Sequence, residues 1–567
     1  MFLASLRVEN FRGVREGTFG FDEVSLWIGE NDCGKSSLLE AIALALGGPG
    51  DAPPRFEAHH FHRPGGDPRA AAAGPIAIEL RFRERQPREW EDEALAPFAA
   101  LLSRERSTAR ELWLRIEVAP RAGRGAVVGK WALRGAGPGS HESRDDPQML
   151  AALRRACPLL VVRWGAWAAA AGSPARAPAR RRLASELEPL AAAVDAHYRQ
   201  LVEGAGAEAA SELRAGYEAA GDLLRRVGAR FYRKRDLTRD FVTEILGAGR
   251  WPRPRTPGMN AFFHGSAAQQ IATLLLTGAA LREVRGAFAP GAEPLLVVED
   301  PEAHLHPMTL ASVWALLEQI RWQKSVTTQS GALLSAAPLA SLRRLTRYEG
   351  VVREWRVREG RLRPEELRRF SYHLRLRRGT ATFARCWLLV EGETEFWLLP
   401  ELARLAGYDL ALEGVALVEF AQGGIIPLVK VADELGIEWH LLADGDEAGR
   451  TYAQTAAALA GREDLALRVS RLHEHDIEHC FWRHGYAPVY RQLAHVGRGA
   501  SERMPPWRII RRAIRARSKP DLAFEIIQAA STPGSPGVPP PLRHTIETCV
   551  RLAREAPARL ARSGELS

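Results

Sequence analysis

The sequence predicts an α/β protein with several domains, in which two α/β regions are separated by a helical insertion. An apolar strand at 24–28 leads through a glycine-containing loop into the apolar run 37–46, which is the order strand, loop, helix. Helical periodicity with few strand signals fills about 182–247. From about residue 381, apolar strands alternate with amphipathic helices, which is typical of a parallel sheet covered on both faces. At 567 residues the chain is also too long for one hydrophobic core.

The predicted elements follow one another in a regular order. Strand-like stretches of the first half are 3–8, 24–28, 76–82, 112–118 and 159–162. Those of the second half are 387–390, 414–420, 439–443 and 466–472, with helices at 394–405, 425–435 and 448–460. The arginine-rich run 508–517 predicts a further helix.

Two proline-rich breaks, at 171–181 and 251–258, mark domain boundaries. We predict a first α/β part at 1–170, the helical insertion at 171–250, a second α/β part at 251–380, a third α/β domain at 381–500 and a basic helical region at 501–567. The first two α/β parts together form one domain that the insertion interrupts.

Composition places the chain among cytoplasmic proteins. It is 46% hydrophobic and 26% charged, and its five cysteines lie far apart without a CxxC pair, which disfavours a disulfide scaffold or a zinc site. No apolar run reaches the roughly 18–20 residues of a membrane span, and the start of the chain is not a signal peptide. The net charge of +10 is compatible with a polyanionic partner but is weak evidence for one.

Lysine is rare, because only six of the 78 basic residues are lysine. A basic residue inside a motif is therefore expected to be arginine unless an ammonium group is needed there. Two of the six, Lys35 and Lys519, stand where phosphate chemistry is predicted.

Residues 29–36, GENDCGKS, match GxxxxGK[ST] between a strand and a helix, the context of a phosphate-binding loop. Its backbone N–H groups cradle phosphates, its lysine reaches the β- and γ-phosphates, and its serine binds Mg²⁺. The predicted nucleotide-binding residues are Gly29, Asn31, Gly34, Lys35, Ser36 and Ser37.

A second motif, LLVVEDPE at 295–302, is followed by AHLHP. A buried strand that ends in Glu299 and Asp300 places two carboxylates beside the metal and the attacking water of the nucleotide.

Together with the opening LRVENFRG, these two motifs resemble the RecF/SMC-like ABC ATPases to which the OLD (overcoming lysogenization defect) family belongs. The resemblance assigns Glu299 to the Mg²⁺ shell and Asp300 to the water-activating position, and it places Arg12 near the nucleotide. It also implies a homodimer, because a signature loop of a second protomer completes each ATP site in such proteins. The helical insertion is the candidate for holding that dimer together.

Three residues depart from the family pattern. Asp300 replaces the usual glutamate, the signature loop around Ser266 has alanine where glycine is common, and Gln329 replaces the switch histidine. Glutamine can donate a hydrogen bond to phosphate but cannot carry a proton as histidine does. The motifs therefore predict ATP binding but not fast hydrolysis. Bound ATP is expected to act mainly by holding the protein in a clamped or active state.

A second acidic set follows the strands of the third α/β domain. Glu391 and Glu395 follow the strand at 387–390, and Asp444 and Asp446 follow the strand at 439–443. Carboxylates at the C-terminal ends of neighbouring parallel strands share one crevice and repel unless a cation neutralises them. Hard oxygen ligands favour Mg²⁺ or Mn²⁺.

This pattern resembles the Toprim domain of topoisomerases, primases and OLD nucleases, with its Rossmann-like parallel sheet. The resemblance makes Glu391, Asp444 and Asp446 the core metal site and Glu395 an OLD-like addition. Asp476 and Glu478 are candidates for a second metal, since two ions stabilise both oxygens in phosphodiester hydrolysis. The resemblance is strongest to class 2 OLD nucleases. It also implies that Lys519 stabilises the charge on the phosphate during the reaction.

The resemblance covers essentially the whole chain and implies an ATP-binding, Mg²⁺- or Mn²⁺-dependent DNA endonuclease or nickase of phage defence or DNA processing. Some members of the family act beside a UvrD-like helicase, which is a candidate partner. Arginines of the run 508–517 would contact the DNA backbone, although a solvated helix face explains them equally well.

Two other functions stay open. One is an ATP-gated DNA clamp of RecF/SMC type without nuclease activity, which has no need of the acidic set. The other is a primase-like polymerase, for which no nucleotidyl-transfer partner domain is visible. His59, His60 and His62 form a cluster for which a loop or core role is preferred over metal binding.

Overall fold

In a computed structural model of the chain, the structure describes residues 1–47, 51–66, 72–85, 89–102, 110–120, 126–135, 141–162, 188–202, 213–218, 220–221, 292–302, 310–320, 322–373, 379–421, 423–461, 465–495 and 504–563. The chain forms two compact units, Met1–Glu354 and Trp355–Ser567. Within the described ranges, no helix combines the length and apolar character that a membrane crossing needs. All five cysteines are buried and free.

The first unit is built on a mixed β-sheet. Its strands, with the small separate pair β4 and β7, are β1 (Phe2–Phe11), β2 (Val14–Gly20), β3 (Val24–Gly29), β4 (Arg55–Phe56), β5 (Ile76–Arg83), β6 (Glu111–Val118), β7 (Val127–Val128), β8 (Lys130–Gly135), β9 (Glu142–Arg144), β10 (Leu159–Val162), β11 (Leu295–Glu299), β12 (Gln323–Thr327), β13 (Leu342–Tyr348) and β14 (Val351–Trp355). The large sheet has the order β10-β11-β12-β3-β13-β14-β2-β1-β5-β6-β8-β9.

One half of this sheet is parallel and the other half is antiparallel. Strands β10, β11, β12, β3 and β13 run parallel, whereas β2, β1, β5, β6, β8 and β9 pair antiparallel. The sequence patterns indicate β1, β3, β5, β6, β10 and β11, whereas the strands that were not predicted are β2, β4, β7, β8, β9, β12, β13 and β14. Only Val14, Gly17 and Phe19 of β2 are buried, so that its apolar signal is weak and its strand character comes from pairing with β1.

The helices of the first unit are α1 (Lys35–Leu46), α2 (Pro147–Ala156), α3 (Glu188–Val202), α4 (Leu310–Gln319) and α5 (Gly331–Ala336). Helix α1 is buried along most of its length, and Leu38, Leu39 and Ile42 belong to the core of the unit. Within the predicted helical insertion, α3 is helical as expected, while 163–187 and 222–250 lie outside the described residues.

The second unit contains a fully parallel sheet, as predicted. Its strands are β15 (Cys386–Val390), β16 (Val415–Glu419), β17 (Glu438–Ala443) and β18 (Val469–Arg471), in the order β16-β15-β17-β18. Its helices are α6 (Pro364–His373), α7 (Glu393–Leu405), α8 (Ile425–Glu434), α9 (Glu447–Ala460), α10 (Leu465–Arg468), α11 (Ile477–Phe481), α12 (Ala487–Leu493), α13 (Pro506–Ala516), α14 (Lys519–Ser531) and α15 (Pro540–Ser563).

The stretch 466–472 differs from the sequence prediction of one strand, since α10 occupies its first half and β18 its second. The difference has a tertiary cause. Arg468 is buried and forms an ion pair with Glu438 at 2.7 Å, and its guanidinium donates to the carbonyl of Trp439. The C-terminal helix α15 packs against β15 and β17 and so belongs to the core of this unit.

Candidate nucleotide and metal sites

The phosphate-binding loop connects β3 to α1 in the first unit. Gly29 and Gly34 have φ angles of 149° and 109°, a region that favours glycine. A Cβ atom on Gly29 would lie 2.5 Å from the carbonyl oxygen of Leu345 and 2.6 Å from the sulfur of Cys33. Glycine is therefore required at both motif positions, because a larger residue would force the backbone of the loop to shift.

Lys35 opens α1 and is 7% exposed. Its ammonium donates to the carbonyl oxygens of Gly29 at 2.6 Å and Glu30 at 2.9 Å. Among the described residues, no side chain caps the N-terminus of α1, so that its first N–H groups and the positive end of the helix dipole are available to an anion. Asn31 and Ser36 are exposed on this loop, while Ser37 is buried.

The two acids of the second motif follow β11, which is separated from β3 by β12 in the sheet. Asp300 has a φ of 43°, and its carboxylate accepts a hydrogen bond from the hydroxyl of Thr327 at 3.1 Å. Gln329 follows β12, and its backbone N–H donates to the carboxylate of Glu302 at 2.5 Å. Because β3, β11 and β12 are parallel, the loops that hold Lys35, Glu299 and Gln329 emerge from the same edge of the sheet.

Arg12 lies within electrostatic range of this edge. Burial lowers the pKa of Arg12, and the carboxylate of Glu299 acts in the opposite direction. The guanidinium also forms an ion pair with Glu40, a buried residue of α1 that the sequence analysis did not single out. A lone glutamate inside the apolar run SSLLEAIALAL is the signal that could have found it.

The histidine cluster supports Glu40. His60 accepts the backbone N–H of Glu57 at its Nδ1, at 2.8 Å, so that its Nε2 carries the proton and faces Glu40 at 3.3 Å. Burial lowers the pKa of His60 to about 4, and the ring is neutral at pH 7. His62 is bonded to the carbonyl of Arg12 at 2.7 Å. The preference for a loop or core role over metal binding stays a prediction, since ligand atoms of Glu40, His59 and His60 lie within 4.8 Å of one another.

Ser266 and the rest of the predicted signature loop lie outside the described residues, as do residues 303–309. Arg12, Glu299, Asp300 and Gln329 keep their assigned roles in nucleotide binding as predictions.

In the second unit, carboxylates from separate chain segments converge around Asp444. Asp444 follows β17, the central neighbour of β15 and β18. Burial raises the pKa of Asp444 to about 8, assisted in decreasing order by Glu395, Asp476, Glu391 and Glu478. The structure thus brings together five of the six predicted acidic residues, including Asp476 and Glu478 beyond β18.

The turn after β17 permits this close packing because of two glycines. The N–H of Gly445 donates to the carbonyl of Glu474 at 3.1 Å, and a Cβ atom on Gly445 would lie 2.1 Å from that oxygen. A Cβ atom on Gly449 would lie 2.1 Å from the carbonyl oxygen of Asp444. The sequence DGDEAG therefore combines two aspartates and a glutamate with two glycine positions that have no room for a side chain.

Asp446 has a different local task from Asp444. It is the N-cap of α9, and its carboxylate accepts the backbone N–H of Gly449 at 2.7 Å. A cap uses one carboxylate oxygen and leaves lone pairs for a further ligand. Its predicted role as a metal ligand remains a prediction.

Two histidines next to Asp476 were missed by the sequence analysis. His479 donates to one oxygen of Asp476 from its backbone N–H at 2.8 Å and from Nδ1 at 2.6 Å, and His475 lies 3.3 Å from the other oxygen. Burial favours the neutral form of Asp476, but the hydrogen bonds from His479 outweigh it and hold the pKa of Asp476 below its ordinary value. The run HEHDIEH carried this signal.

Two buried hydroxyls also lie among these acids. Thr394 stands between Glu393 and Glu395 at the start of α7, and burial together with Glu478 and Asp476 raises the pKa of Tyr490 well above its ordinary value. Within the part of the chain that the structure describes, the hydroxyl oxygens of Thr394 and Tyr490 have no hydrogen-bond partner.

Lys519 begins α14, whose N-cap is Ser518, and α14 packs against α7, the helix that carries Glu395. Its side chain lies outside what the structure describes, so that its predicted contact with phosphate stays a prediction.

Comparison with known proteins gives two consecutive family matches, and the first of them extends past the boundary between the two units at 354/355. Residues 1–381 match the family described as "Protein of unknown function (DUF2813)", and residues 382–446 match "Overcoming lysogenization defect protein-like, TOPRIM domain". The "Uncharacterized protein YbjD" of Escherichia coli (strain K12) is 33% identical over 579 aligned positions, covering 98% of this chain and 99% of that protein.

Two solved structures are similar at a lower level. The SMC head domain from Thermotoga maritima has a TM-score of 0.34 at 15% identity and covers 63% of this chain and 100% of its own. The C-terminal region of the Burkholderia pseudomallei OLD protein has a TM-score of 0.25 at 17% identity and covers 30% of this chain and 99% of its own.

The OLD-like TOPRIM match covers the strand ends that carry Glu391, Glu395 and Asp444. From its match over 1–381, the OLD-like match that follows it and its 33% identity to a full-length relative, the chain belongs to the DUF2813 family and carries an OLD-like TOPRIM domain at 382–446.

Proposed function

We propose that this protein is an ATP-binding, metal-dependent DNA endonuclease or nickase that hydrolyses phosphodiester bonds in phage defence or DNA processing. The observation that carries the proposal is the convergence of Glu391, Glu395, Asp476 and Glu478 on Asp444. Buried like charges repel, so that such a set destabilises the metal-free protein. It is therefore expected where a cation binds.

The residues fit a divalent cation on two grounds. Burial and, after it, the neighbouring acids raise the pKa of Asp444 to about 8, which a bound cation would reverse, and among the described residues the buried hydroxyls of Thr394 and Tyr490 have no hydrogen-bond partner. Glu391, Glu395 and Asp444 would hold one ion, and Asp476 and Glu478 a second. Bound Mg²⁺ or Mn²⁺ supplies an activated water and neutralises charge on the transferring phosphate.

The remaining side chains serve binding and protonation. His479 keeps Asp476 in its charged form by two hydrogen bonds, which suits a ligand of a cation. The exposed arginines of α13 bind the phosphate backbone without reading sequence, and Lys519 at the start of α14 stabilises charge on the scissile phosphate.

ATP binding gates this activity from the first unit. Lys35 would hold the β- and γ-phosphates and Ser36 the Mg²⁺ of the nucleotide, with Glu299, Asp300 and Gln329 at the neighbouring strand ends. The signature loop around Ser266 of a second protomer completes the site, so that the working form is a homodimer. A UvrD-like helicase is the proposed external partner.

A plasmid assay tests the nuclease. Purified protein is incubated with supercoiled plasmid and Mg²⁺ or Mn²⁺, with and without ATP, beside Asp444→Asn, which keeps the shape of the side chain and removes its charge. We expect nicking or linearisation by the wild type and a loss of at least about a hundredfold in the variant, as for removal of a group central to charge stabilisation.

The matched control is Glu401→Gln, which removes a carboxylate from the outer side of α7 and is expected to cleave like the wild type. If wild type and Asp444→Asn leave the plasmid equally intact in every lane, the nuclease proposal fails. An ATP-gated DNA clamp of RecF/SMC type is then the better description, and ATP-dependent DNA retention is its measurement.

A further inference from the structure

Large aromatic side chains are exposed in one part of the second unit. Among the described residues, the exposed phenylalanines and tryptophans are Phe396, Trp397, Trp507 and Phe524, with 42–56% of the side chain accessible. They lie on three helices only, α7, α13 and α14. Exposed large aromatic residues that cluster in this way mark binding surfaces more often than chance exposure does.

Trp397 and Phe524 form the centre of this surface. Helices α7 and α14 pack against each other, and the two ring centroids are 6.0 Å apart. Phe396, the residue before Trp397 on α7, is also exposed. We call Trp397 and Phe524 the aromatic pair.

The aromatic pair lies on the outer side of the helix whose inner side holds a catalytic candidate. Glu395 is buried in the acidic cluster, whereas Trp397, two residues later, faces solvent. At a rise of about 1.5 Å per residue, the two positions differ by about 3 Å along the axis of α7. Two residues also turn the helix by about 200°, so that the aromatic pair lies on the face of α7 opposite to Glu395 and is separated from the acids around Asp444 by the width of the helix.

The charge beside the aromatic pair is strongly positive. Helix α13 exposes Arg508, Arg511, Arg512 and Arg515, and no acid occurs between Glu502 and Asp521. Within the described part of the chain, none of these four arginines pairs with a carboxylate. The guanidinium of Arg508 lies over the ring of Trp507, 5.2 Å from its centroid. Helix α14, which carries Phe524, follows α13 directly and packs against it.

We propose that the aromatic pair and the α13 arginines form a binding site for single-stranded nucleic acid, whose unpaired bases stack on the rings while its phosphates contact the arginines. The inference rests on the proposed nuclease function and names its substrate class as strands with unpaired bases. Exposed rings beside unpaired cations match a polymer that alternates flat bases with phosphates. In a duplex the base faces are already stacked, so that only the arginines engage it.

Binding is measured by fluorescence anisotropy with a labelled oligothymidylate strand and a duplex of the same length, in EDTA so that no cleavage occurs. Trp397→Ala and Phe524→Ala are each expected to weaken single-strand binding about tenfold and to change duplex binding little. Trp397→Phe keeps a stacking ring and is expected to restore most of the affinity. Leu412→Ala, an exposed apolar residue in the turn after α7, is the matched control and is expected to bind like the wild type.

Salt dependence tests the arginines separately. Arg511→Gln and Arg512→Gln are expected to weaken both ligands and to lower the slope of log affinity against log salt by somewhat less than one each. Thermal melting of each variant confirms that it folds.

Three outcomes overturn the inference. One is wild-type single-strand binding that neither aromatic variant changes, and another is an equal loss for strand and duplex in Trp397→Ala. The third is a loss of self-association by sedimentation in Trp397→Ala with unchanged DNA affinity, which makes the surface a protein interface. Binding is measured in EDTA, without cleavage, so that it is tested separately from nuclease activity. If Asp444→Asn loses cleavage while Trp397→Ala binds single strands like the wild type, the nuclease proposal stands and only the single-strand site is rejected.

Discussion

The nucleotide site and the acidic site are both built at the ends of parallel strands, but they are built over different ranges of sequence. In the first unit, the turn at Gly29, the lysine and the helix start all lie within eight consecutive residues. In the second unit, Asp444 meets acids from two other segments, with Glu391 before it and Glu478 after it in the chain. The first site is a local structure and the second exists only in the folded sheet.

The two sites also differ in how their charge is balanced. The ammonium of Lys35 is already bonded to two backbone carbonyls, so that the loop is stable before a phosphate arrives. The carboxylates around Asp444 repel one another and depend on a proton or a cation. The charge of the first site is satisfied by backbone carbonyls before its ligand binds, whereas the charge of the second site is neutralised only when a proton or a cation binds.

The largest expected effect separates the two sites. Lys35→Ala removes the ammonium from the loop, and we expect ATP affinity to fall about a hundredfold, since hydrogen bonds from a charged group are among the strongest. Titration with a fluorescent ATP analogue measures the loss, and Lys130→Ala, an exposed lysine of β8, is the control. Mn²⁺ binding by the second unit should not change. A parallel fall in Mn²⁺ affinity would break the comparison between a local and an assembled site.

The next effect concerns pH and applies to the acidic site alone. Because the pKa of Asp444 is raised to about 8, a metal ion that binds below this pH must displace a proton. We expect affinity for Mn²⁺ to rise about tenfold per pH unit towards pH 8 and to level off above it. Calorimetry in two buffers of different ionisation enthalpy measures the released proton, which Asp444→Asn should abolish.

The same shift has a consequence for the metal-free protein. A carboxyl whose pKa is raised on folding contributes stability that is fully present below its unfolded pKa, near 3.8, and is lost as the pH rises through 8. Added Mn²⁺ should therefore raise the melting temperature more above pH 8 than below it. An increase that does not depend on pH would show that Asp444 is not coupled to the metal.

The smallest effect distinguishes the two tasks of Asp446. Serine is also a good N-cap, so that Asp446→Ser should keep the free energy of unfolding within about 0.5 kcal/mol, while Asp446→Ala should lower it by about 1 kcal/mol. Urea denaturation measures both. If Asp446→Ser keeps its stability but loses cleavage, the carboxylate has a role beyond capping α9. Unchanged cleavage would leave Asp446 with the cap alone.

Much of the second unit was predictable because its signals are local. Strands β15 and β17 are mostly apolar and buried at every position, whereas β16 is a mostly apolar edge strand that is buried at Val415 and Val418. The bounds of all three agree with the sequence prediction within about one residue. The stretch 466–472 was not predictable, because a buried ion pair between Arg468 and Glu438 decides where helix ends and strand begins. Strand β2 was missed for a related reason. Its composition carries little apolar signal, and its strand conformation comes from antiparallel pairing with β1.

The sequence by itself determined the phosphate-binding loop, the order of the parallel strands' motifs and the acids that follow them, because each depends on neighbouring residues. Only the tertiary structure decided which acids meet. It placed Asp476 and Glu478 beside Asp444, gave Asp446 the cap of α9 and connected Glu40 and His60 to Arg12. Contacts between distant segments depend on strand order and on the turns at Gly445 and Gly449, and neither leaves a periodic trace in the sequence.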